Sequence, residues 1–434
     1  LERIIQFLKG ELHMNFWKRA KLLSLASIAS FFIQTAESSY AAGFDLTLNN
    51  VLVNQVRENS GDRPYFYTIH FETRLNVANS TRVRVAGVEP HDWVGKAPYT
   101  NASIRNGHMQ NRQRLNIPWW MGRHGWQGLD LATSPVAMGF AHVFGAIIIG
   151  LDNNNTPPHL VQDLMNQIAQ KLRVVLREQV ETGQLVDGIN LHSPTATTQI
   201  RQRIMDFSNG LTDDLEINYL DWLFGSTFNP DRLVGIQALV FPSIPGYAIQ
   251  VENQTRRIAG QDVQVQVHFG SPVNLRRSLI FRGSEAEYIV DAQLQQRNLP
   301  DTIPVTHLDV RLRTGSDDLR RSSRAFFNLT FMRGGSLTPF QTRIDGGRGF
   351  QNMQDSSFRI TLPTGVTLGS IRNLGLSYNG NPSTITDTHD NWDIDALQVS
   401  AITPGGQEQL FVAMSKQLLR MTQSRSSAVF GIRR

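Results

Sequence analysis

The sequence predicts a mainly β protein with inserted helices: an N-terminal antiparallel β-domain followed by a C-terminal β-sandwich. Three observations predict it. Tyr65, Tyr67, Ile69 and Phe71 alternate with Phe66, Thr68, His70 and Glu72, and Val263, Val265, Val267 and Phe269 alternate with Gln264, Gln266 and His268. Period-two alternation marks half-buried strands. Apolar residues recur at helical spacing over two longer stretches, near 157–181 and 194–208. Beyond residue 303, short alternating segments recur between glycine-rich turns, the pattern of two packed antiparallel sheets.

Taken from the start, Lys9-Gly10-Glu11 stands just before Met14 and could be encoded by a bacterial ribosome-binding site, so residues 1–13 are read as untranslated upstream sequence. Residues 14–41 then read as a secretory signal: Lys18, Arg19 and Lys21 precede the apolar run from Leu22 to Ile33, and Ser39-Tyr40-Ala41 offers small residues before a cut. The run is short for a bilayer span, which takes roughly 20 residues. The expected destination is export, to the periplasm or the extracellular space. With no cysteine in the chain, an exported fold must rest on its core alone.

The formal net charge is +5, and five of the basic and three of the acidic residues lie in positions 1–41, leaving about +3. So mild a balance does not suit a dedicated nucleic-acid binder. After Glu408 there is no acid, while Lys416, Arg420, Arg425, Arg433 and Arg434 follow. Residues 403–434 are therefore a basic extension, read as a solvated end, with contact to anionic lipid or polysaccharide as the alternative.

Residues 42–300 begin with Phe44, Leu46 and Leu48 on one strand face, and Asn59-Ser60-Gly61-Asp62 is turn chemistry. The run Ile117-Pro118-Trp119-Trp120-Met121-Gly122-Arg123-His124-Gly125-Trp126 admits two readings. Exposed, Trp119, Trp120, Arg123 and Trp126 would make a membrane or ligand contact, since indole suits the border between water and an apolar or ring surface. Buried, the run is a core corner. Phe140–Leu151, broken by glycines, reads as a buried strand. Thr156 with Pro157 opens the first helix, whose stripe is Leu160, Leu164, Ile168, Leu172, Val175 and Leu176. Ser193 caps a second helix and Asn209-Gly210 stops it; Leu215, Tyr219, Trp222 and Leu223 suggest a short third. Strands return at Val234–Phe241, Val263–Phe269, Leu279–Phe281 and Tyr288–Leu294.

After a linker at Arg297–Asp301 come five alternating segments: Leu308/Val310/Leu312, Phe327/Leu329/Phe331, Phe358/Ile360/Leu362, Leu374/Leu376/Tyr378 and Leu397/Val399. Thr314-Gly315 with Asp317 follows the first, Leu368-Gly369-Ser370-Ile371 leads into the fourth, and the last is Trp392-Asp393-Ile394-Asp395-Ala396-Leu397-Gln398-Val399. In that order these motifs resemble the PLAT, or lipoxygenase-homology, family. The resemblance covers residues 303–402 and implies a PLAT-like β-sandwich that binds a lipid surface or a protein partner, with calcium as a candidate cofactor. The family's Ala-Gly-Thr-Asp turn is replaced by Arg320-Arg321-Ser322-Ser323.

Calcium takes six to eight oxygen ligands, several from carboxylates. Asp317, Asp318, Asp390, Asp393 and Asp395 stand at loop–strand junctions where a sandwich could bring them together; the competing reading is acids that form turns. Trp392 is read as a structural anchor. Past Thr403, Leu410, Met414, Leu418 and Met421 fit either a helix or a hairpin completing the sandwich. No nucleophile elbow, zinc-binding helix or phosphate loop is present, so no catalytic residue is named. The sequence thus points to an exported bacterial binding protein whose partner is a membrane surface or a protein or glycan ligand. The competing classes are a membrane-active toxin and a lipid- or glycan-hydrolase with a targeting sandwich.

Overall fold

The computed structural model describes residues 42–86, 93–104, 106–154, 156–214, 231–258, 261–283, 285–297, 299–380 and 390–432. Residues 1–41, the third expected helix and the tail's last two arginines lie outside them.

The alternating segments of the first part become β1 (Ala42–Gln55), β2 (Pro64–Arg74), β3 (Arg82–Ala86), β4 (Gln113–Asn116), β5 (Arg123–Leu129), β6 (His142–Asp152), β7 (Arg232–Pro242), β8 (Gln250–Ile258), β9 (Gln261–Phe269), β10 (Leu275–Gly283) and β11 (Ala286–Arg297). They join in one sheet ordered β3-β2-β6-β7-β9-β10-β11-β1-β4, with β5 paired to β1 and β8 to β9. All pairings are antiparallel except β7 with β9. The sheet curls, so strands far apart in its order face each other. Phe44 of β1 and Trp126 of β5 pack on Phe144 of β6, with ring centroids 5.3 and 5.1 Å apart, and His124 of β5 stacks on His70 of β2 at 4.0 Å. Two glycines allow the curl: a Cβ on Gly150 or Gly235 would stand 2.7 or 2.8 Å from Phe281.

Two short helical turns, α1 (Trp119–Gly122) and α2 (Pro135–Met138), precede the long helices α3 (Pro158–Leu176) and α4 (Ala196–Asp214). The expected stripe of α3 is buried at Leu164, Ile168, Leu172 and Leu176, and Arg173 Nη2 donates to Val83 O of β3 at 3.1 Å. Thr156 does not cap α3. Its hydroxyl accepts from Asp231 N at 2.8 Å and its N–H donates to Asp231 Oδ1 at 3.1 Å. Asn209-Gly210 does not stop α4 either; buried Leu211 carries the helix past it. Among the described residues no helix is long and apolar enough to cross a membrane.

The second part forms β12 (His307–Thr314), β13 (Arg324–Arg333), β14 (Ser336–Arg343), β15 (Asp355–Thr361), β16 (Ile371–Asn379), β17 (Trp392–Ile402), β18 (Glu408–Met421) and β19 (Ser427–Gly431). They make two four-stranded sheets, β15-β12-β17-β18 and β14-β13-β16-β19. The sandwich therefore does not end at residue 402. The stretch read as a basic extension supplies one edge strand to each sheet, because Val412, Leu419 and Met421 bury against the same core as Leu397 and Val399. The alternation also missed β8 and β14, polar edge strands with little apolar pattern to find.

Candidate functional site

The inner faces of the two sandwich sheets meet in a core of Leu308, Val310, Leu312, Phe327, Leu329, Phe331, Leu374, Leu376, Leu397 and Val399. Trp392 is fully buried there and stacks on Phe350 with centroids 5.2 Å apart and planes 3° apart, which makes it the anchor expected of it. What remains for binding is the outer faces and the ends.

One outer face, on β15-β12-β17-β18, is covered by the N-terminal domain. Ala396, Gln398 and Ser400 of β17 are buried, and Ala396 joins the N-terminal core. The guanidinium of Arg313 lies 4.4 Å over the Trp120 ring, within cation–π reach. The same arginine pairs with Asp355 at 3.1 Å, and Tyr99 OH donates to Asp355 Oδ2 at 2.8 Å. Arg123 reaches Glu408 at 2.7 Å and Asp45 at 3.5 Å; Arg297 approaches Asp45 at 3.5 Å; and the Gln127 amide donates to Leu410 O. Burial pushes the Asp45 carboxyl up to about 6, against the pull of Arg123 and Arg297. Glu408 is also pushed up by burial, but Arg123, a hydrogen bond from Ser400 and Arg297 outweigh this and leave it below its ordinary value.

This seam decides between the two readings of the tryptophan run. Trp126 is buried, with Nε1 donating to Phe71 O at 3.0 Å; Trp120 is buried beneath Arg313; Trp119 is half-buried; and Arg123 is spent on Asp45 and Glu408. The run is a corner joining the domains, and the exposed contact surface is not formed. Alternation could not show this, because a partner sheet distant in sequence provides the burial.

At one end of the sandwich four of the five candidate acids, Asp317, Asp390, Asp393 and Asp395, are held by the chain itself. Asp390 Oδ2 accepts from Arg320 N at 2.8 Å and Ser323 Oγ at 2.6 Å. These donors come from the turn that replaces the family's acidic one. Asp317 and Asp393 share Arg420, at 3.0 and 3.6 Å, and Ser316 Oγ donates to Asp393 at 3.3 Å. Burial raises the Asp393 pKa, and its Oδ1 has no hydrogen-bond partner. Asp395 is buried against Gly315, where an added Cβ would lie 2.5 Å from its Oδ1; Asp318 is half-buried. Among the described residues no three metal-ligating side chains come together, and the Arg420 guanidinium stands where a cation would have to bridge Asp317 and Asp393. These acids do not fit calcium as arranged.

The other outer face, on β14-β13-β16-β19, is open. A line of side-chain hydrogen bonds crosses it: Gln341 Nε2 donates to Asn328 Oδ1 at 2.7 Å, and Asn328 Nδ2 donates to Ser377 Oγ at 2.8 Å. Half-buried Phe326 and Met332 flank that line on β13. Leu337 of β14 is 62% exposed and Val429 of β19 is 71% exposed.

One further polar cluster, in the N-terminal sheet, has no local sequence signal. Tyr65 OH donates to Asp231 Oδ2 at 2.6 Å and Tyr288 OH to Asp62 Oδ2 at 3.0 Å, while Asp152 accepts from Arg63 N at 2.8 Å and faces Arg57 at 3.7 Å. Burial raises Asp62 and Asp152, and the charge of Asp62 adds to the shift of Asp152. Arg57 separates the cluster from an open cleft of about 460 Å³ lined also by Arg232, Gln261, Asp262 and Glu285. Hydrogen bonds within the cluster pin the β2, β6 and β11 ends together.

No family model and no curated protein matches the chain. Among solved structures, alpha toxin from Clostridium absonum overlaps 31% of this chain and 33% of its own, at 11% identity and a TM-score of 0.24. Alpha-toxin from Clostridium perfringens, avian strain SWCP, overlaps 32% and 34%, at 12% identity and a TM-score of 0.24. A LOX carrying Delta413-417:GS overlaps 29% and 16%, at 12% identity and a TM-score of 0.21. The chain spans about a third or less of the length of each, and likeness this slight places it in no family.

Proposed function

We propose that the chain is an exported bacterial binding protein whose C-terminal sandwich docks on a lipid surface, with the N-terminal sheet as its scaffold. The observation that carries this reading is the asymmetry of the sandwich. One outer face is sealed by ion pairs and buried small residues, while the other keeps Leu337 and Val429 in water. Both stand on the outer strands of the one sandwich face that the N-terminal domain leaves uncovered.

The test is co-sedimentation of the full chain with phosphatidylcholine vesicles, with and without phosphatidylglycerol, in calcium and in chelator. Binding in both conditions is the expected result, and failure to bind any vesicle overturns the reading. Binding that requires calcium would mean that Asp317 and Asp393 exchange Arg420 for the ion. Release of a trapped dye on binding would move the protein toward the membrane-active class.

A further inference from the structure

The open face has a second property, one of charge. None of the residues of β13, β14, β16 or β19 is acidic, whereas the covered sheet carries Asp309, Asp355, Asp393, Asp395 and Glu408. The open sheet's basic residues are Arg324 and Arg343 at one end and Arg333 and Arg372 at the other. Arg343 is taken up by Asp345, at 2.7 Å through both nitrogens. Arg324 and Arg372 are exposed and form no ion pair among the described residues, while Arg333 has the strand parity of core-facing Phe331 and does not belong to this face.

We infer that this acid-free face binds the surface of an anionic bilayer, Arg324 and Arg372 meeting lipid phosphates while Leu337 and Val429 enter the interface. The inference rests on the lipid-docking reading above and names its face and its lipid class. Size supports a bilayer over a small anion. Arg324 pairs with Asn379, and Arg372 lies between the partners of Thr330 and Phe331, about 20 Å away along the strands at 3.3 Å per residue. That separation exceeds the Debye length of about 8 Å in physiological salt, so only a broad polyanion engages both ends at once. Composition supports a bilayer over a nucleic acid. Val429 and Leu337 are the two most exposed large hydrophobic residues among those described, and both lie on the outer strands of this face.

The experiment measures partitioning of the full chain onto phosphatidylcholine vesicles with and without phosphatidylglycerol. The variants are Arg324→Gln/Arg372→Gln, Val429→Glu and, as a control on the N-terminal sheet, Arg257→Gln, which is 74% exposed. Each arginine near an anionic surface contributes roughly fivefold, so the double variant is expected to bind phosphatidylglycerol vesicles roughly 25-fold more weakly. Val429→Glu, which puts the first acid on the face, is expected to weaken binding in the same direction, and Arg257→Gln to leave it unchanged. Circular dichroism checks that each variant is folded. If wild type binds and both face variants bind equally well, this face is not the site, although lipid docking stands. Binding indifferent to phosphatidylglycerol overturns the charge argument. If wild type binds no vesicle, lipid docking fails and this inference fails with it.

Discussion

On the outer side of β17, Ala396, Gln398 and Ser400 are buried; on the outer side of β19, Val429 is 71% exposed. The covered face thus buries small and polar side chains of β17, while the open face keeps a large apolar one in water. A sandwich settled by apolar burial alone would show the opposite arrangement. The N-terminal domain is held by directed contacts instead: Arg123 between Asp45 and Glu408, Arg313 between Trp120 and Asp355, and Tyr99 on Asp355. Such contacts fix one geometry and leave the apolar residues of the other face unspent. That contrast can be broken or sharpened by substitution.

The largest effect is expected where both faces share support. Trp392→Ala removes the ring stacked on Phe350 and should cost about 3–5 kcal/mol of unfolding free energy by urea titration, as large core truncations do. Trp392→Phe keeps an aromatic partner and removes a buried N–H that has no acceptor, so its cost should be roughly 1 kcal/mol.

Next comes the seam. Arg123→Ala leaves Asp45 buried beside Arg297 alone and Glu408 without its nearest cation. Removing one partner of a buried pair strands the other, and about 2–3 kcal/mol is expected from the same titration. If the seam holds the domains together, the variant should also expose the 297–307 linker to limited proteolysis. Cleavage no faster than in wild type would mean that the contacts to Asp355 suffice.

The seam also sets a pH dependence. The folded-state pKa of Asp45 is about 6, against an ordinary 3.8, so the folded chain keeps a proton that the unfolded chain releases. Its contribution is fully present below 3.8 and is lost as pH rises through 6. Glu408 shifts the opposite way, so its contribution is lost only in acid, below its ordinary 4.5. From pH 8 to pH 5, then, Asp45 should add on the order of 1–2 kcal/mol, seen as a rising melting temperature. Asp45→Asn should flatten that rise.

The fold was largely legible in the sequence because its signals are local. Alternation marked β2, β9 and β12, and helical spacing marked α3. What failed was local pattern with a non-local cause. Trp119–Trp126 fits an exposed loop or a buried corner until β18 is laid against it, and Leu410–Met421 fits a helix or a hairpin until β17 pairs with it. Of the acids at 317–318 and 390–395, Asp317 and Asp393 meet at Arg420, which lies in the stretch read as a basic extension. The open face was not legible in the sequence. Its signal is the missing acids of β13, β14, β16 and β19, which shows only once those four strands are known to share a sheet.

The smallest expected effect is the sharpest test of the contrast. Leu337→Ser and Val429→Thr replace side chains that are mostly in water and pack on neither core. Each should change unfolding free energy by less than about 0.5 kcal/mol, the usual range for surface sites. If the open face served only the fold, substitutions this neutral to stability would be silent in every assay. If it serves a bilayer, the same two variants should weaken vesicle binding while their urea midpoints stay at the wild-type value, which separates the two roles in a single pair of proteins. A stability loss as large as that of Arg123→Ala would instead show the face to be structural.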